Sequence, residues 1–234
     1  MGYSLQAKEI KDKLNLLIEQ ASDIDPNLTI KLREINRWIK HIKLGSLMSK
    51  PIVVAFLLEV ITDSQVWLAI RSLPSEEEQK LQFEKMTANE KYWYGYLFPK
   101  WINATDTKFH IWKKKMMSGE FNQADSDIIK YIAQDVVDRK GDFWRRYIAD
   151  LSMATDLIVS SHQNKPLCIQ VTSVSEEFHG QKYQKWENAL QLWKIERGLF
   201  LSYNPQENDF VHQLVNVALY NSDHLADGKY INFS

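Results

Sequence analysis

At 234 residues the chain has material for one large domain or two modest ones, and 44% hydrophobic with 25% charged residues is ordinary globular composition able to bury a core. Twenty-nine basic residues against 30 acidic leave a formal net charge of -1, which excludes a global field toward nucleic acid or anionic lipid and makes any such binding local. The single cysteine, Cys168, excludes an internal disulfide and a multi-cysteine zinc site and suits a reducing cytoplasm, where its strand-like flanks predict a small buried residue.

The first residues lack a charged start, an apolar core and a cleavage site, so no signal peptide is expected; Gln6 breaks the myristoylation pattern that Gly2 begins. Leu5, Ile10, Leu14, Leu17 and Ile18 recur at helical spacing. Pro26 opens a second helix carrying Leu28, Leu32, Ile35, Trp38, Ile39 and Ile42, which Gly45 is expected to close. Ser49 is the expected cap of a third helix with Pro51 in its first turn. Its apolar run, 51–70, carries Glu59, Asp63 and Gln65, which are costly at mid-bilayer, so it reads as a buried helix and no membrane partner is expected. Ser75 and Thr87 each stand three residues ahead of a glutamate, the reciprocal arrangement that satisfies free amides at a helix start. The stretch 90–117 is dense in aromatics and runs into Lys113, Lys114 and Lys115. It reads either as helical core with a solvated basic end or as a surface that could stack single-stranded nucleic acid. Together these elements predict a helical N-terminal region over 1–124, whose outer surface is a candidate for docking a protein partner.

From 125 to 234 the texture changes. "DSDIIKYIAQDVVDRKG" predicts an amphipathic helix ending at Gly141, and "FWRRYIADLS", "TDLIVSS" and "PLCIQVTSV" read as strands, the last two separated by the turn "HQNK". "QKYQKWENALQLWKIE" reads as a helix, "RGLFLSYNP" as a strand and "ENDFVHQLVNVALYN" as a last helix. The order helix, three strands, helix, strand, helix predicts an α+β or α/β domain with a small mixed sheet containing a parallel pair.

Alternation along a strand puts Cys168, Gln170 and Thr172 on one face, and an antiparallel neighbour would bring Asp156 beside Gln170. That is a convergence of hard oxygen ligands of the kind magnesium takes, usually one or two carboxylates plus waters and substrate phosphate. The six histidines show no metal-ligand spacing, and there is neither a Gly-rich phosphate loop nor a G-x-S-x-G elbow.

With "ATD" at one strand and "IQVTS" at the next, residues 126–205 resemble the PD-(D/E)xK nuclease-like superfamily of restriction endonucleases, Holliday-junction resolvases and RecB-type nuclease domains. The resemblance implies a restriction-endonuclease-like core and metal-dependent hydrolysis of a phosphodiester, with DNA the expected substrate ahead of RNA. It places Asp156 at the family's metal-binding aspartate, Gln170 at the acidic position and Thr172 at the lysine, with Ala154 and Thr155 where the proline region stands. Asp156 and Gln170 would be the ligands of magnesium, or of manganese as its substitute. Gln170 offers a neutral amide oxygen in place of a carboxylate, and Thr172 has no ammonium. The missing lysine would have to come from Lys182 or Lys185 on the next helix, and further oxygens from Glu176, Glu177, Gln134 or Asp135. Arg145 and Arg146 with the two lysines would flank the phosphate path. A metal-dependent nuclease and a nuclease-derived fold that has lost catalysis and serves as an interaction or structural subunit both satisfy this reading.

Overall fold

In a computed structural model the described residues are 7–119, 126–173, 176–203 and 210–233, with backbone alone at 126 and 176–178. Leu5 and Gln6, the expected start of the last helix at 207–209, and the side chains of Glu176 and Glu177 lie outside them. The chain is α+β and divides into two compact units, one formed by 1–85 with 98–121 and the other by 86–97 with 122–234.

Helical spacing of apolar residues builds the first unit. Helix α1 (Ala7–Ile24) buries Ile10, Leu14 and Leu17, and α2 (Pro26–Ile39) buries Leu28, Leu32, Ile35 and Ile39, so the two stripes face each other. Asp25 caps α2, its carboxylate accepting from the amides of Asn27 and Leu28 and from the Trp67 indole at 2.7 Å. Gly45 does not close α2; it lies inside the short α3 (Leu44–Met48), and Ser49 turns its hydroxyl back to the Ser46 carbonyl instead of capping the next helix. Helix α4 (Pro51–Arg71) starts at Pro51, and its N-cap residue, Lys50, forms no side-chain cap because an ammonium has no acceptor for the free amides. Apolar around its whole circumference, α4 is the one helix among the described residues long and apolar enough to cross a membrane. Val53, Phe56, Leu57, Val60 and Ile61 are buried, as are Asp63 and Ser64. Ser75 caps α5 (Glu76–Glu84) by accepting from the Glu78 amide.

The second unit takes α6 (Ala88–Tyr92) and a π-helical turn, Trp93–Leu97; the chain then returns to the first unit as α7 (Phe98–Asn103) and α8 (Phe109–Ser118). Thr87 and Glu90 form the full reciprocal cap at α6. Pro99 has no amide to donate back toward Gly95, which accounts for the widened turn just ahead of it. The aromatic run 90–117 is core: Trp93, Tyr94, Phe98, Trp101, Phe109 and Trp112 are all buried. In the first unit Trp38, Phe56, Phe109 and Trp112 interlock with ring centroids 4.7 to 6.2 Å apart, each ring worth about 1.5–3 kcal/mol of burial.

The rest of the second unit is a five-stranded mixed sheet in the order β1-β2-β3-β4-β5. Its strands are β1 (Asp142–Trp144), β2 (Leu157–Ser160), β3 (Leu167–Thr172), β4 (Arg197–Ser202) and β5 (Lys229–Phe233). β1, β2 and β3 pair antiparallel, whereas β3, β4 and β5 pair parallel. Helix α9 (Ser126–Asp138) and helix α12 (Phe210–His224) cover one face, where Ile129, Ile132, Val136, Leu214 and Val215 meet Leu157, Val159, Ile169, Val171, Leu199 and Leu201. Helix α11 (Glu176–Leu192), the crossover between β3 and β4, covers the opposite face.

Two elements differ from the sequence expectation. "FWRRYIADLS" is a strand only as far as Trp144, and continues as α10 (Tyr147–Met153). Ile148, Ala149, Leu151 and Ser152 are all buried, and Ile148, Leu151 and Ser152 fall at helical spacing, a period that the single apolar run concealed. β5 is the other: its residues alternate only weakly, and it exists because β4 offers a parallel edge. Arg197, only 6% exposed, ties this region together by donating to the carbonyls of Pro166, Asn221, Ser222 and Leu225 at 2.5 to 3.2 Å.

Candidate active site

The register of the sheet builds the site. Leu157 pairs with Ile169 in the antiparallel β2–β3 ladder, so Asp156, one residue ahead, stands opposite Gln170, and its amide donates to the Ile169 carbonyl at 2.8 Å. The turn that delivers it closes α10 at Ala154, which holds a left-handed conformation with φ of 53°. A non-glycine residue pays roughly 1 kcal/mol there, so the path into Asp156 is held by its surroundings and not by local preference.

The Asp156 side chain is buried, and its Oδ2 accepts from Gln170 Nε2 at 2.5 Å and from the Val171 amide at 2.7 Å. Both donors therefore converge on one oxygen of the carboxylate. Thr172, also buried, ends β3 on the same face as Gln170, and its hydroxyl accepts from the Lys182 ammonium. Asp156, Gln170, Thr172 and Lys182 are thus brought together at one end of β3. Lys185, one turn further along α11, is exposed.

Chemically the cluster offers one anionic oxygen, one amide, one hydroxyl and one ammonium. Among the described residues no group of three or more His, Cys, Asp and Glu side chains is placed to hold a metal ion. Because Gln170 spends its N–H on Asp156, its carbonyl Oε1 remains as a neutral oxygen donor. This set fits a magnesium ion only in the form that keeps most of its shell as water and phosphate, with Asp156 and Gln170 as the protein's share.

Other sequence candidates lie elsewhere. Gln134 donates to Asp138, and Asp135 pairs with Arg139 at 2.7 Å and His212 at 2.9 Å on the α9–α12 side of the sheet. Burial pushes the Asp135 carboxyl up, but the hydrogen bonds from Arg139 and His212 outweigh it and hold it below the usual range. Helix α9 covers the sheet face opposite the one that carries Gln170 and Thr172, so neither Gln134 nor Asp135 joins the cluster. Arg146 stacks over the Trp144 ring at 3.7 Å. Arg145 stands beside Asp150, whose carboxyl burial pushes up to about 6 while that guanidinium pulls it back.

Compared with protein-family models, curated proteins and solved structures, the chain matches none.

The sequence alone did not place His179 against the sheet. Its ring packs edge-on against Phe200 at 5.5 Å, and Phe200 is the parallel partner of Gln170. The signal was present in the spacing: His179 stands three residues before Lys182, on the same face of α11. Cys168 shares the strand face but is no nucleophile, since burial pushes its thiol up to about 12.

Proposed function

We propose that the unit holding Asp156 is a nuclease-like domain whose site binds and hydrolyses a phosphodiester. The observation that carries this reading is the convergence of Asp156, Gln170, Thr172 and Lys182, supplied by the end of β3, the residue opposite it and the following helix. The order α9, β1, β2, β3, α11, β4, with α10 inserted after β1, supports a restriction-endonuclease-like core. Lys182 would take the place of the lysine that Thr172 lacks, donating to the attacking water or to a phosphate oxygen.

In this reading Asp156 and the Gln170 carbonyl would hold magnesium, which would supply an acidified water and offset charge on the phosphate. The Val171 amide keeps the Asp156 carboxylate aimed. Lys182 supplies a cation where negative charge grows, and Thr172 fixes the direction of its ammonium. DNA is the proposed substrate.

A second reading has its own support in the single carboxylate. With Gln170 donating to Asp156, the cluster is a self-satisfied polar network that could hold the sheet end together without chemistry, leaving the protein as an interaction subunit that binds a partner through its helical unit. Titration calorimetry with magnesium and manganese, followed by cleavage assays on single- and double-stranded DNA, separates the two. Under the first reading the wild type binds the ions and cleaves, and Asp156→Ala does neither. A wild type that neither binds nor cleaves leaves only the second.

A further inference from the structure

Away from the Asp156 cluster, the first unit holds a cavity of about 410 Å³ between α2 and residues 102–106. Lys31, Glu34 and Arg37 line it from α2 at successive i, i+3 positions, so one helix face presents positive, negative and positive charge in turn. Neighbours at that spacing can pair, yet among the described residues none of the three makes a hydrogen bond or an ion pair. Their charges are left for the cavity.

Lys31 sets this face apart from a solvated one. It is only 6% exposed, and its ammonium lies over the Trp101 ring, 5.3 Å from the centroid. Burial pulls the amine down from its ordinary range, and the Glu34 and Asp106 carboxylates push it back up. Lys31 has given up most of its hydration without gaining a paired anion, which costs free energy until an anion arrives. Asp106 is already committed, since its two oxygens accept from the Lys108 amide at 2.9 Å and the Trp112 indole at 3.2 Å. Glu34 is the carboxylate left over. A solute can reach the cavity, because Arg37, Asn103 and Thr105 at its edge are exposed and the Lys31 Nζ opens on it instead of being sealed in the core.

We propose that this cavity binds an α-amino acid as the zwitterion, its carboxylate between Lys31 and Arg37 and its ammonium on Glu34. The order of charge selects the ligand. A dianion would satisfy both cations but set its charge against Glu34, and a simple amine would leave Lys31 unpaired. The volume lies in the range of small-molecule pockets and admits an amino acid with room for its side chain. Asn27 donates to Asn103 at 2.6 Å, which ties α2 to the facing wall and leaves the Asn27 amide oxygen as a further acceptor for the ammonium. The site belongs to the first unit and does not depend on the phosphodiester reading.

The test titrates the full chain with each proteinogenic amino acid by calorimetry, then compares the tightest with its des-amino carboxylate and its amide. The expected result is a Kd below about 1 mM for at least one amino acid, weakened about ten-fold or more by loss of either charged end. Lys31→Met keeps an apolar stem on Trp101 and removes the ammonium; Glu34→Gln removes the charge and keeps the shape. Each should weaken binding about ten-fold or more, Lys31→Met with an unchanged or raised melting temperature because an unpaired buried charge goes with it. Glu34→Gln should weaken the amino acid yet strengthen the des-amino carboxylate, a reversal that a general loss of structure would not produce. No binding by the wild type at about 10 mM of any amino acid overturns the proposal. So does binding that both variants leave untouched, or a des-amino carboxylate that binds the wild type as tightly as the amino acid.

Discussion

Asp156 has two duties, and substitution can separate them. Its Oδ2 serves Gln170 and the Val171 amide inside the protein, while the proposed chemistry uses its charge. Asp156→Ala strands both donors and is expected to cost about 1–3 kcal/mol of stability, whereas Asp156→Asn keeps an acceptor oxygen for them and should cost clearly less. Urea unfolding of the two variants checks this; equal losses would mean that the two hydrogen bonds contribute nothing. Asp150 provides a test in pH. Its carboxyl stands at about 6 in the folded protein against an ordinary 3.8, because burial favours the neutral form. The folded chain then holds this proton more tightly than the unfolded one. Its favourable contribution is complete below the ordinary value, is lost as pH rises from there to about 6, and stays lost above. Asp150→Asn should flatten that part of the stability-pH curve, and a slope unchanged from wild type would contradict the assignment.

At the scale of elements, the contact of α11 with β4 sets where Lys182 and His179 arrive. A Cβ on Gly198 would lie 2.3 Å from Leu190 Cδ1 and 2.9 Å from Trp186 Cζ2, so only glycine admits so close a helix. Gly198→Ala must push α11 outward and is expected to cost about 1–3 kcal/mol. If the site reading is right, it also weakens cleavage without touching a site residue. Gly180, on the same helix with nothing within 4 Å, is the control: Gly180→Ala should raise helix stability by roughly 0.5–1 kcal/mol. Denaturant midpoints for the pair check both signs. The elements also mark how far sequence goes. The Thr87–Glu90 cap and the parallel β3–β4 pair could be read directly, since each depends on a local residue pattern or on a helix between two strands, whereas at Ser75 only the serine half of the expected reciprocal cap forms. Ser49 misled because two capping positions lie side by side, and its hydroxyl serves the helix behind it. Helix α10 stayed hidden because a short apolar run has no period long enough to separate helix from strand.

Over the whole molecule, the sequence boundary at 124/125 differs from the division of the chain. Residues 86–97 belong with the sheet, where Asn89 donates to the Ile158 carbonyl and Tyr94 meets Trp144 edge-on, so a helical stretch serves the α+β unit. No local pattern could show this, because the assignment depends on partners some 50 to 70 residues away in sequence. The Asp156–Gln170 pairing was legible from strand alternation and one turn, whereas the reach of Lys182 to Thr172 and the unpaired nitrogen of His179 depend on how α11 lies on the sheet. Whether the Asp156 cluster hydrolyses a phosphodiester is decided by the rate at which a supercoiled plasmid is nicked in magnesium by wild type and by Asp156→Asn, at a temperature where both are folded. The wild type is expected to nick and the variant to lose nicking; equal rates, or a wild type that leaves the plasmid whole, would overturn the proposed hydrolysis.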